Sequence, residues 1–180
     1  MIKRLLKELL RYLAIAIMTT IVVLLVKDIG DFVVNKQLRN QGSYPVLSVY
    51  DGDTIGVKMD GREQKVRLIG VDTPETGGND TNIECYGFEA TDYVRDLLDG
   101  ERVVLKADPL STNRDRYERL LRFVERKSDG LDVNLELVKN GYSPFYNNFP
   151  HSRLDEFRTA AEQAQERQIG LHAECVNETS

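Results

Sequence analysis

The stretch from Tyr50 to Thr76, YDGDTIGVKMDGREQKVRLIGVDTPET, carries carboxylates and a guanidinium of the kinds that act on phosphate esters. Asp53 and Asp72 offer hard carboxylate oxygens, and the backbone carbonyl of Thr73 can serve as a third ligand. A set so sparse, completed by water and a substrate phosphate, suits Ca²⁺ with its flexible oxygen coordination, and Mg²⁺ stays open as an alternative. Glu75 follows Asp72 by three residues across a turn stiffened by Pro74, which places it beside such a cation without ligating it. A general base for an attacking water belongs there. Arg67, with Arg119 further along, supplies planar forks that grip phosphate oxygens better than lysine does. Phosphodiester hydrolysis needs these parts together: positive charge on the phosphoryl oxygens and a base that activates water in line with the leaving oxygen.

A β-hairpin has to position them. The runs Thr54–Met59 and Lys65–Val71 alternate apolar and polar residues and are rich in β-branched types, and Asp60-Gly61 is a two-residue turn between them. That turn pairs Ile55 with Val66 and Asp53 with Leu68. Strict alternation then puts Asp53 and Arg67 on opposite faces of the hairpin. A bulge or sharp curl near Asp51–Thr54 is therefore expected, so that both reach one pocket.

D-G-D-T at 51–54, R-L-I-G-V-D-T-P-E at 67–75 and D-R-Y-E-R at 115–119, in this order and spacing, resemble the staphylococcal (micrococcal) thermonuclease family. The resemblance runs from about Pro45 to His172, with Cys85-Tyr86-Gly87 in register. It implies an OB-type barrel and a Ca²⁺-dependent nuclease that cuts DNA and RNA and leaves 3′-phosphates. It implies Asp53, Asp72 and the Thr73 carbonyl as calcium ligands, Glu75 as base, and Arg67 and Arg119 on the phosphate. Asp51 matches a nearby acidic position, and Arg116 with Tyr117 a basic-aromatic pair that holds the terminal phosphate of a bound nucleotide. The chain departs from the pattern at Glu118, where the family has glycine, at Arg116, which replaces a lysine, and at His172, which replaces a tryptophan. The loop after Gly141 aligns poorly, so no base-stacking tyrosine is carried over.

The other elements follow from periodicity. Tyr44–Tyr50 reads as a first strand, Gly87–Leu98 as a helix closed by Gly100, and Glu101–Lys106 and Arg119–Arg126 as the fourth and fifth strands. Val133–Asn140 and Ser152–Gln168 read as two further helices, with Tyr142, Phe145, Tyr146 and Phe149 taken as lid and core packing between them. Residues 44–176 are thus expected to form an α+β domain, a five-stranded OB-type barrel with three helices, ahead of a tail at 177–180.

The net charge of −5 argues against a global positive field. Residues 1–26 hold Lys3, Arg4, Lys7 and Arg11 against Glu8, so the rest of the chain sits at −8. Polyanions must then be met by local arginines and a bound cation. The uncharged run Tyr12–Val26 behind this basic flank reads as a transmembrane signal-anchor, with a linker at 27–43. Its helix is only about 22 Å long, short of the ~30 Å hydrocarbon core unless Leu9 and Leu10 extend it. A cleaved signal is the rival, and no small-residue cleavage pattern follows the run. Either way the domain is expected outside the cytoplasm, membrane-anchored or secreted. There the only two cysteines, Cys85 and Cys175, are expected to form one disulfide. The expected partners are single-stranded or locally melted DNA and RNA and the membrane; no protein partner is implied, and the chain is read as a monomer. The alternative function is a non-catalytic OB-type module that binds nucleic acid or protein at the cell surface.

Overall fold

The computed structural model describes residues 4, 7, 11–13, 15–27, 42–77 and 83–175. It divides into two units, Met1–Gln41 and Gly42–Ser180. In the first, residues 11–13 and 15–27 are helical and their apolar side chains are exposed. Among the described residues no helix is long and apolar enough to cross a membrane, so the expected transmembrane helix is not found as a span. Most of the expected linker, and the tail at 177–180, lie outside the described residues.

The second unit is a barrel. Strands β1 (Ser43–Asp51), β2 (Thr54–Met59) and β3 (Arg62–Leu68) lead to helix α1 (Gly87–Leu98), followed by β4 (Arg102–Lys106) and β5 (Leu120–Arg126). Helices α2 (Val133–Lys139), α3 (Leu154–Glu166) and the short α4 (Leu171–Glu174) come last. The sheet closes in the order β1-β2-β3-β5-β4, with β3 and β5 parallel and the other pairs antiparallel. This is the five-stranded barrel expected, with one helix more.

The hairpin is set locally. Asp60 and Gly61 take φ of 50° and 77°, the two positive values of a type I′ turn, whose twist matches that of the strands it joins. Met59 then faces Arg62, and the ladder runs back through Ile55↔Val66 to Thr54↔Arg67. Ile55, Val57, Val66, Leu68, Val103, Leu105 and Val124 fill the barrel with Val94 and Leu98 of α1 and Phe157 of α3, and β1 adds the half-buried Tyr44, Val46 and Val49. The third strand begins three residues earlier than expected and stops at Leu68, short of Val71. After Leu68 the chain leaves the sheet: Ile69 N–H still donates to the Arg122 carbonyl at 3.0 Å, and Gly70 turns with φ of 73°.

Asn134 holds that exit. It is 0% exposed; its Oδ1 accepts from Val124 N–H at 2.8 Å, and its Nδ2 donates to the carbonyls of Ile69 at 2.9 Å and Arg122 at 3.1 Å. A buried polar side chain whose bonds are all made specifies one arrangement. Here it ties α2 to β5 and to the start of the loop that carries Asp72.

His151 is the opposite case. It is 3% exposed between Phe123 and Phe157, and neither ring nitrogen has a partner. Burial lowers its pKa from 6.5, Asp108 opposes that shift, and Arg153 adds to it. The fold therefore holds the ring neutral while the unfolded chain takes up a proton below about 6.5, so stability present above that pH is lost as pH falls. Urea denaturation measured across this range should show the loss. His151→Phe should remove a slope of at most about 1.4 kcal/mol per pH unit. A slope unchanged in the variant would assign the effect to other groups, His172 among them, whose pKa burial also lowers.

Candidate active site

Asp53 reaches Arg67, and the means is close to the one expected. Pairing of β1 with β2 shifts register between Val46 and Ser48 and again between Val49 and Asp51. The second shift leads into the turn between the strands, and Asp53 lies in that turn, outside both. Its side chain is thus free of strand alternation. Asp53 is 6% exposed; its Oδ2 ion-pairs with Arg67 Nη1 and accepts from Thr73 N–H at 3.3 Å, and its Oδ1 accepts from Thr54 Oγ1 at 2.8 Å. Asp51 Oδ1 closes the turn by accepting from Asp53 N–H at 3.0 Å. Gly52 is required for this closeness: a Cβ there would stand 2.7 Å from Thr73 Oγ1 and 2.9 Å from the Ala90 methyl.

Arg67 is the hub. It also donates to the Val71 carbonyl and to Asp72 Oδ1, both at 2.6 Å, so one guanidinium gathers Asp53, Asp72 and the exit loop. Asp72 is held from behind, its N–H donating to Ser143 Oγ at 2.9 Å. Thr73 is buried beside Asp53, and Glu75 is exposed. Burial pushes the Asp53 carboxyl well above the usual carboxylate range, Arg67 opposes that shift, and Asp51 adds to it. Although Glu75 is exposed as a residue, its carboxyl is also raised, first by the partial loss of water around it and then by the charges of Asp51 and Glu84.

Asp53 and Asp72 pair with Arg67, Glu75 feels the charge of the same guanidinium, and Asp51 adds a further carboxylate beside Asp53, so negative charge is in excess. That excess, with hard oxygens only, fits an added hard cation of the calcium type and not a soft-ligand metal. Among the described residues no three His, Cys, Asp or Glu side chains are grouped to hold a metal by themselves. A cation held by Asp53 and Asp72 would take its remaining ligands from backbone, water or substrate.

Arg119 approaches from the loop residue just before β5, one position outside the strand expected to begin there. Its Nε donates to Asp115 Oδ2 at 2.6 Å, and its Nη1 makes a long contact of 3.4 Å to Thr54 Oγ1. Thr54 thus links Arg119 to Asp53 and so to Arg67. Asp115 shapes this loop: its Oδ1 accepts from the N–H groups of Tyr117 and Arg119, each at 2.9 Å. Arg116 donates to Tyr117 Oη at 2.6 Å, and its guanidinium stacks 4.7 Å from that ring. Glu118, where the resembled family has glycine, sits at φ of 63°. A left-handed conformation costs a side-chain-bearing residue about 1 kcal/mol that glycine does not incur. Glu118→Gly is expected to raise stability by about that amount, read from the urea midpoint; an unchanged or lower midpoint would reject it.

Arg67, Arg119, Arg116 and Tyr117 line a cleft of about 600 Å³, and Tyr146 and Phe149 form part of its wall. Tyr142 and Phe145 pack on the core as expected, but Tyr146 is only half-buried and Phe149 is 59% exposed. Sequence reasoning also missed Thr54, Asp115, Ser143 and Glu84 as supports. Thr54 and Asp115 stand inside the motifs themselves, which was a usable signal; Ser143 carried none. Cys85 and Cys175 are joined as a disulfide, as expected.

Fold and site together define a closed barrel that gathers carboxylates and two arginines at the edge of an aromatic-walled cleft. A family model described as staphylococcal nuclease homologue matches residues 65–174. The chain belongs to that family. It is 45% identical over 85 residues to a thermonuclease of Staphylococcus hyicus, covering 47% of this chain and 49% of that protein. With a thermonuclease of Staphylococcus intermedius it shares 38% identity over 123 residues, 68% of this chain and 69% of that one. Endonuclease YhcR of Bacillus subtilis (strain 168) is 38% identical over 143 residues, 73% of this chain but only 12% of its own length. The chain thus spans about half of the first of these relatives and a small part of the third.

Proposed function

We propose that this chain is a nuclease that hydrolyses phosphodiesters of DNA and RNA with Ca²⁺ as cofactor. Family membership supports the reaction class, and one observation carries the assignment of residues: Arg67 holds Asp53 and Asp72 together beside a cleft that also contains Arg119. Asp53, Asp72 and the Thr73 carbonyl hold the ion, and Asp51 tightens the turn that presents Asp53. The ion, when bound, supplies positive charge to the phosphoryl oxygens. Arg67 and Arg119 grip the same group with planar forks. Glu75 takes the proton from the attacking water, and the 5′-oxygen leaves, so the product strand ends in a 3′-phosphate. Arg116 and Tyr117 hold a terminal phosphate. Tyr146 and Phe149 offer aromatic surface on which unpaired bases can stack, which favours single-stranded or locally melted substrate.

The test is incubation of the chain with single-stranded DNA and with RNA, in Ca²⁺ or a Ca²⁺ chelator, followed by analysis of the ends. Cleavage only with Ca²⁺, giving 3′-phosphates, is the expected result. Binding without cleavage would reject the enzyme in favour of a binding module, and cleavage in chelator would reject the cofactor.

Residues 1–26 are proposed to hold the domain at a membrane, outside the cytoplasm. The basic flank, the uncharged run, the helical conformation of residues 15–26 and the disulfide support this. Recovery of the full chain in the soluble fraction of an unprocessed culture lysate would reject the anchor.

A further inference from the structure

We infer that Glu84 is a positioning residue for Glu75 and that the Cys85–Cys175 disulfide anchors it, so that reducing this bond slows the reaction while the barrel stays folded. The inference rests on the reading of Glu75 as the base.

Glu75 lies beyond the end of β3, past the last ladder bond of the barrel wall. The residues at the start of α1 hold its backbone. Glu75 N–H donates to Glu84 Oε2 at 3.0 Å, and Glu84 N–H donates to the Glu75 carbonyl at 2.9 Å. Two bonds between the same two residues fix the Glu75 peptide groups from both sides. Gly87 packs onto the same carbonyl so closely that a Cβ there would lie 2.6 Å from it. Glu84 is not placed for charge: its carboxylate acts on the Glu75 carboxyl as a like charge. What it contributes is the accepting oxygen.

Glu84 is exposed. Its neighbour Cys85 is bonded to Cys175, with Cα atoms 5.8 Å apart, at the end of α4. Helix α4 is docked in turn, Leu171 N–H donating to the Gly141 carbonyl at 2.9 Å. The disulfide is therefore a covalent strut from the C-terminal helix to the residue that holds the base. Beyond it, Tyr86 stacks on Tyr142 at 5.4 Å. Barrel strands make none of these contacts, so losing the strut frees Glu84 without opening the core. A dithiol reductant supplies two electrons and two protons, leaving Cys85 and Cys175 as thiols and the reductant as a cyclic disulfide. Displacing a catalytic group by about 1 Å is worth on the order of 10²-fold in rate.

The experiment uses the full chain with Ca²⁺ and a single-stranded DNA oligonucleotide, and reads kcat and KM separately. Glu84→Ala should lower kcat by about 10- to 100-fold with KM little changed. Glu84→Gln keeps an accepting oxygen and should recover most of the loss. Dithiothreitol, with thiol release confirmed by labelling, should lower kcat to a similar degree, reversibly, with the circular dichroism of the barrel retained. Its effect should be largely absent in Glu84→Ala, because both act through one contact. Wild-type kcat in Glu84→Ala would overturn the inference, as would Glu84→Gln as slow as the alanine variant. Full activity after confirmed reduction would overturn the anchoring role. A Glu75→Gln control separates the two levels. If it is inactive while Glu84→Ala is unaffected, positioning alone fails; if it is active, the reading of the base fails and positioning with it.

Discussion

Arg67→Gln is expected to destabilise the protein by about 3–5 kcal/mol and to lower its nuclease activity by about 10²–10³-fold. The stability loss comes from Asp53. That carboxylate is 6% exposed, and Arg67 is the only cation paired with it among the described residues. Breaking a buried pair from one side leaves a charge in low dielectric, which is worse than having no pair. Asp72 contributes less, since its side chain is 47% exposed and water can replace the guanidinium. Two further measurements identify the cause. Asp53→Asn in the Arg67→Gln background should restore much of the stability by removing the stranded charge. Ca²⁺ should raise the melting temperature of Arg67→Gln more than that of the wild type, because the ion then replaces the positive charge that Asp53 has lost. A loss under about 1 kcal/mol, or no recovery in the double variant, would show that Asp53 is not held as a charge by Arg67.

Glu75→Gln is expected to lower kcat by about 10²–10⁴-fold, the range for removing a general base, with KM and stability nearly unchanged. Stability is spared because the Glu75 side chain is exposed, while its structural bonds run through its backbone N–H and carbonyl to Glu84. Glutamine keeps the shape and loses only the capacity to take a proton. The measurement is steady-state cleavage of an oligonucleotide beside a thermal melt of the same preparation. Wild-type kcat in a folded variant would remove Glu75 from the role of base. A large rise in KM with kcat retained would instead make it a substrate-binding residue.

The elements that positioned these groups differed in how far they could be read from sequence. Asp60-Gly61 left one answer for the hairpin, since two positive φ values in a two-residue turn set the register of every pair from Met59↔Arg62 to Thr54↔Arg67. Helix α1 came out at Gly87–Leu98 as expected, because its apolar spacing and Gly100 are local signals. The end of β3 was misread. Ile69 and Val71 continue an apolar run, but Ile69 completes a bond to β5 and Gly70 turns the chain away, and neither fact is local to the run. The short helix α4 was missed because four residues are too few to show a period.

The site divides in the same way. Residue types and spacing were enough to mark Asp53, Arg67, Asp72, Thr73, Glu75 and Arg119 as the groups to follow, and to require that the chain break alternation near Asp53. They could not say that one guanidinium would hold both aspartates, that Thr54 would bridge toward Arg119, or that Tyr146 and Phe149 would face a cleft. Those facts depend on the parallel pairing of β3 with β5 and on closure of β1 against β4. Turn chemistry, periodicity and charge act over a few residues and are written in the order of the chain. The burial of Asp53, the bonds of Asn134 and the strut to Glu84 join positions tens of residues apart, and such contacts exist only once the barrel has closed.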